Sequence, residues 1–337
     1  MDTIKGFFWN AEERRLRAVW RLILQLVFLG LGMGCLSIFV SLIGFLTGMI
    51  EPTTNADAVA SAMQQPRMLG ISSASALLAF LLSVWLAGRF ADRRPFADFG
   101  FHFDLAWWRD LGFGMALGML LMAGVFAVEW AFGWVEITGT LESQRANLTF
   151  GGGILLQLFA YVCVGIYEEL FSRGYQLQNM AEGLQGPLGS RLAIIVAWML
   201  SSSVFGLLHA TNPNASLVST VNLIIAGLFL GLGYVLTGEL AIPIGLHITW
   251  NFFQGNVFGF PVSGGGSAVS FITIEQGGPS FWTGGAFGPE AGLIGLVAIA
   301  LGSLLIVLWV RWLRGKSSLQ RNIAEYEPLA RPGDEPA

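Results

Sequence analysis

The chain has 337 residues, of which 54% are hydrophobic and only 12% charged, about half the charged share of an ordinary soluble domain. That balance excludes a conventional soluble fold and points to an all-α, polytopic membrane protein, while the formal net charge of -4 and the lack of a basic patch interleaved with aromatics exclude a nucleic-acid partner. The two cysteines, Cys35 and Cys163, lie in apolar runs and read as small core residues, not as a disulfide framework or a Cys-based metal site.

In chain order, residues 1–21 form an N-terminal segment carrying Lys5, Arg14, Arg15, Arg17 and Arg21. The apolar run that follows, residues 22–50, is too long for the core of a cleavable signal peptide, and Ala56-Asp57-Ala58 lies too far along to be its cleavage site. Further runs of roughly 20 residues, enough to cross a bilayer, occupy 68–87, 111–134, 154–180, 192–210, 217–236, 241–260 and 291–312. About eight transmembrane helices are therefore expected. The fourth is interrupted by an acidic motif, and the seventh contains Pro243, His247 and Asn251.

Alternate connections differ in Lys and Arg. The N-terminal segment, the stretch with Arg89, Arg93, Arg94 and Arg109, the turn at Arg191 and the tail with Arg311, Arg314, Lys316 and Arg321 are basic. The loops around Arg67 and Arg145 carry one basic residue each, and those after Ala210 and Phe260 carry none. By the positive-inside rule both termini are expected in the cytoplasm, as an even number of spans requires. Trp107 and Trp108 read as interfacial anchors beside Arg109, and His102 in the same connection reads as a surface or interface residue. The implied organisation is a cytoplasmic segment (1–21), three transmembrane helices (22–150), a core (151–260), a Gly-rich external loop able to fold back over the protein (261–290), a last transmembrane helix (291–315) and a disordered cytoplasmic tail (316–337).

Ionisable groups inside a span cost a few kcal/mol each on insertion scales, so each marks a functional candidate. They concentrate here: Glu168, Glu169 and Arg173 in the fourth span, His209 ending the fifth, His247 and Asn251 in the seventh. On a helix Glu169 and Arg173 share a face in the favourable acid-before-base order. Glu168 points about 100° away, which leaves it less directly paired and suited to act as a general base. Taken alone, the Glu169–Arg173 pair could equally fix helix packing, His209 could cap a helix, and His247 with Asn251 could join helices. Taken together they converge. With a turn over residues 184–190, Glu168 and His209 come to depths differing by only about 5 Å, whereas His247 is roughly half as deep and needs Pro243 or a re-entrant segment to reach them.

Glu168-Glu169-x-x-x-Arg173, Phe205-x-x-x-His209 and His247-x-x-x-Asn251, in that order on separate helices, resemble the motif set of the CAAX protease and bacteriocin-processing (ABI) family, which includes the type II CAAX prenyl endopeptidases. The resemblance covers about a third of the chain. It implies an intramembrane endopeptidase acting on a membrane-associated protein or peptide, with Glu168 and His209 activating water and His247 and Asn251 stabilising the oxyanion. The implied setting is a bacterial plasma membrane. If a metal takes part, Glu168, His209 and His247 supply a possible Zn2+ donor set, as in a metalloprotease. The helical His-Glu-x-x-His motif is absent, and Asn251 is better used as an oxyanion donor, so the metal-independent mechanism is preferred. Two other classes share these features: a proton-coupled transporter, and a non-catalytic membrane immunity or scaffold protein.

Overall fold

The computed structural model describes residues 6–48, 66–143 and 148–328. The end of the first span at Ile50, the Ala56–Ala58 stretch, the loop around Arg145 and the last nine residues of the tail lie outside them. The helices are α1 (Ala18–Leu46), α2 (Pro66–Ala87), α3 (Leu105–Ala131), α4 (Phe150–Glu169), α5 (Gln178–Leu208), α6 (Leu217–Thr237), α7 (Ala241–Phe252) and α8 (Leu293–Arg314). A π-helical segment, Leu170–Leu177, joins α4 to α5 without a break. Caps mark several starts: Asp104 accepts from the Trp107 N–H at 2.7 Å, and Ser216 and Ser219 form a reciprocal capping box on α6.

Six helical stretches among the described residues are long and apolar enough to cross a membrane, and one of these is the 59-residue stretch Phe150–Leu208. It is a hairpin and not a rod. Gly189, with φ 71 and ψ 157, breaks the helical geometry two residues after Pro187. The Arg173 guanidinium lies 4.6 Å above the Phe205 ring, a contact that only a reversed chain can make. The expected fourth and fifth spans are thus two antiparallel arms. The expected seventh is α7, 12 residues that run straight on into a π-helical segment, Phe253–Val257. Its first eleven residues are all buried, so it is an internal helix walled by others. Pro243 falls in its first turn, where backbone N–H groups have no intrahelical acceptor.

Among the described residues the fold is all-α apart from two small antiparallel sheets, neither of them expected. Strands β1 (Trp9–Asn10) and β2 (Arg15–Leu16) pair near the N-terminus, and β3 (Val135–Ser143) pairs with β4 (Val269–Gln276). The Gly-rich segment therefore folds back, held by β4 on β3. Other differences follow from packing. Cys163 is buried, but Cys35 is exposed, because α1 buries only Arg21, Gln25, Val40 and Gly44. Trp108 is exposed as an anchor should be, whereas Trp107 is buried and donates to the Gly100 carbonyl at 2.9 Å. The tail, expected to be disordered, is docked as far as residue 328: Gln320 N–H donates to Val235 O, and the Tyr326 ring lies 3.4 Å from the Arg15 guanidinium. An aromatic face over a buried cation is reason enough for that segment to order.

Candidate active site

Glu169 and Arg173 are both fully buried. Arg173 donates through Nη1 to Glu169 Oε1 at 2.9 Å, and through Nη2 to the Gly227 carbonyl of α6 at 2.9 Å. The Phe205 ring that covers the guanidinium also meets His209 at 4.8 Å and His247 at 6.2 Å between centroids. Phe205 thereby locks three polar groups against one another, which explains an aromatic one turn before the histidine.

The two site histidines are each held by one nitrogen. His209 follows the last residue of α5, and its Nδ1 lies 2.7 Å from the Phe205 carbonyl. A carbonyl only accepts, so Nδ1 carries a proton, and a single proton on the ring leaves Nε2 as an acceptor. His247 directs Nδ1 to Glu169 Oε1 at 2.8 Å and Nε2 toward Glu168 Oε2 at 3.9 Å. The second distance is too long for a direct bond and suits a bridging water. Asn251, one turn further along α7, is buried beside it.

Glu168, His209, His247 and Asn251 all line one cavity of about 190 Å³. Glu169 and Arg173 do not reach it and stand behind it. The six residues singled out from the sequence thus divide into four facing the cavity and two supporting it. The depth problem posed by His247 is answered by its bond to Glu169 Oε1, which sets the imidazole at the level of α4's last turn.

Glu290 also lines this cavity and carried no signal in the motifs. It sits in a 3-10 turn, Pro289–Ala291, where its Oε2 accepts from the Ser263 N–H at 2.7 Å and from Ser263 Oγ at 3.1 Å. Burial raises its pKa above the ordinary value, and the Ser263 N–H partly offsets this. The same loop is tied to the His209 end of α5 by Asn212, whose amide donates to Ser263 O at 3.0 Å. In sequence Glu290 was one of only two carboxylates in residues 261–290. That scarcity was the available clue.

Engagement of His247 Nδ1 by Glu169 and of His209 Nδ1 by a carbonyl leaves Nε2 as the one ring atom on each that could ligate. Among the described residues no group of three or more His, Cys, Asp or Glu side chains is arranged to hold an ion. The metalloprotease alternative therefore has no support.

Residues 150–253, from α4 to the end of α7, match the family model of the type II CAAX prenyl endopeptidase Rce1-like proteins. This segment resembles the Rce1-like proteins. All six site residues fall inside the Rce1-like segment, within an integral membrane protein. Over 239 residues the chain is 27% identical to the uncharacterized protein YyaK of Bacillus subtilis (strain 168), covering 69% of this chain and 76% of that one. No solved structure matches the chain.

Proposed function

We propose that the chain is an intramembrane endopeptidase that hydrolyses a peptide bond in a membrane-associated protein or peptide, with the cavity between α4, α5 and α7 as its active site. The observation that carries this reading is the meeting of Glu168, His209, His247 and Asn251, from three helices, around one cavity. A transporter would spread such groups along a path, and a scaffold would not need them.

Glu168 is the general base. Its side chain keeps 22% of its surface exposed, enough to hold a water, and the Nε2 lone pair of His209 serves as that water's second acceptor. Glu168 takes the proton as the water oxygen attacks the scissile carbonyl carbon, and returns it to the leaving amine. His247 Nε2 and the Asn251 amide donate to the oxyanion that forms. Because the Nδ1–H of His247 is engaged by Glu169, donation from Nε2 requires the imidazolium form. Two carboxylates, Glu168 and Glu169, are then matched by two cations, Arg173 and His247, so the buried cluster is neutral before attack. In this reading the arginine-rich end, where both ends of the described chain lie, faces the cytoplasm.

The test is cleavage of a membrane-anchored CAAX peptide, prenylated and unprenylated, by purified protein in detergent. Glu168→Gln is expected to lower kcat by roughly 10²–10⁴-fold while leaving the thermal midpoint in place. An undiminished rate in that variant would remove Glu168 as the base. Chelation is expected to leave the wild-type rate unchanged; activity lost with a stoichiometric metal and restored by it would overturn the metal-independent mechanism.

A further inference from the structure

A second built site lies at the arginine-rich end of the bundle, away from the catalytic cavity. A cleft of about 670 Å³ is walled by Arg14, Arg89, Arg93, Arg94, Phe90 and Tyr326. Beneath it, charge is balanced: Arg15, Arg21 and Arg94 pair with Glu13, Asp92 and Glu182, three cations with three anions. Glu13 also lines the cleft, but its carboxylate is engaged by Arg15 at 2.7 Å. Arg14, Arg89 and Arg93 have no carboxylate partner among the described residues, so the cleft carries three uncompensated guanidinium groups.

The cleft is preorganised. Arg93 takes a left-handed backbone, φ 58, and its guanidinium lies 4.9 Å over the Trp9 ring, while its carbonyl accepts from Tyr326 Oη at 3.1 Å. Arg94 is buried, is anchored through Nη2 to Glu182, and leaves its Nε–H buried without a partner. Arg89 lies over Phe90 at 5.9 Å, and Phe90 is 65% exposed. Forked, weakly hydrated guanidinium groups held by ring faces suit a phosphate oxygen set better than a single carboxylate.

Position decides the source of the phosphate. Arg89 and Phe90 lie at the last turn of the span Met68–Asp92, and the neighbouring span begins at Ala18. Phe7, Phe8 and Trp20 cluster beside that start, with Phe7 and Phe8 exposed. This is the depth of lipid headgroups, with an apolar rim where acyl chains begin. We propose that the cleft binds the phosphate-bearing headgroup of an anionic phospholipid, and that the lipid joins the N-terminal segment, the end of α2 and the docked tail. The site is independent of the proteolytic reading.

The test is native mass spectrometry of the full-length protein after equilibration with phosphatidylglycerol, phosphatidylcholine or inorganic phosphate. Phosphatidylglycerol adducts are expected to survive conditions that strip phosphatidylcholine, and to persist in millimolar phosphate. The combined variant Arg14→Gln, Arg89→Gln, Arg93→Gln is expected to lower retained phosphatidylglycerol by at least about tenfold. All three side chains are exposed, so the thermal midpoint in detergent should stay unchanged. Arg89→Gln alone, whose side chain bonds to no other residue, should give an intermediate loss and serves if the combined variant does not fold. Equal retention of the two lipids, or full retention in the variants, would overturn the proposal. Displacement of lipid by phosphate would assign the cleft to a free anion and overturn the lipid assignment.

Discussion

Glu169 shows how one oxygen can set the chemistry of a neighbour. Its Oε1 accepts from Arg173 and from His247 at once, at 2.9 and 2.8 Å. Removing the charge by Glu169→Gln leaves Arg173 buried without a counter-ion, a change that typically costs about 3–5 kcal/mol, and it weakens the imidazolium required at His247. Kinetics of that variant are expected to show kcat depressed by about 10²-fold with little change in KM; a loss confined to KM would assign Glu169 to substrate binding instead. Asn251→Ala, which touches neither Arg173 nor Glu169, is expected to cost roughly 10²–10³-fold in kcat at unchanged thermal stability. The pairing of Glu169 with Arg173 was legible as an i, i+4 spacing. Its bond to His247 was not, since 78 residues separate the partners and no local period records such a contact.

The element that makes the site possible is α7, and its seat is cut into α3. Gly114 and Gly118 form a small-xxx-small pair on α3, where a Cβ on Gly118 would stand 2.7 Å from Leu246 O and one on Gly114 would stand 3.0 Å from the Leu246 N–H. No side chain fits there. Gly118→Ala should therefore push α7 away, costing about 1–3 kcal/mol in stability, and a displacement near 1 Å of His247 and Asn251 should lower activity by roughly 10²-fold. Thermal unfolding and the cleavage assay together check this; a variant with native stability and native rate would mean that α7 is not seated by these glycines. The glycine spacing is visible in the sequence, but which helix it receives is not. The β3–β4 pairing was partly legible too, in the alternation of Val135 and Ile137 with Glu136 and Thr138; the surrounding apolar runs concealed it.

The loop closed by that pairing carries a pH dependence. Glu290 has a raised pKa in the folded state, so the folded form binds its proton more tightly than the unfolded form. Its contribution to stability is complete below the ordinary carboxylate value and is lost as pH rises through the raised one. Limited proteolysis of residues 261–290 is expected to accelerate as pH rises above about 4.5, and Glu290→Gln, which stays neutral, should flatten that rise. A profile identical in the variant would show that Glu290 does not govern the loop.

At the scale of the whole molecule, Glu182 ties the arginine-rich end together. It is buried on α5 and meets Arg15, Arg21 and Arg94, and so joins the N-terminal segment, α1 and the end of α2 to the α4–α5 hairpin. Glu182→Gln takes from Arg94 its carboxylate partner among the described residues, leaves Arg15 with Glu13 and Arg21 with Asp92, and is expected to destabilise by about 3–5 kcal/mol, read as a lowered thermal midpoint. An unshifted midpoint would mean that the cluster adds nothing to stability.

By itself the sequence determined the membrane class, most of the spans, the uneven distribution of arginine and the six polar residues of the site. Each of these is a local property: the length of an apolar run, the spacing of residues along a helix, or a charge where charge is costly. The turn over residues 184–190 was among them, and the structure puts its break at Gly189; only the tertiary structure decided that α7 is an internal helix and that Glu169 serves His247 as well as Arg173. It also brought Glu290 to the cavity lined by Glu168 and His209 and seated the tail on the arginines. Those outcomes depend on which surfaces remain to be buried once the helices pack, and on which distant donor satisfies each buried acceptor. Chain-local patterns do not encode such pairings.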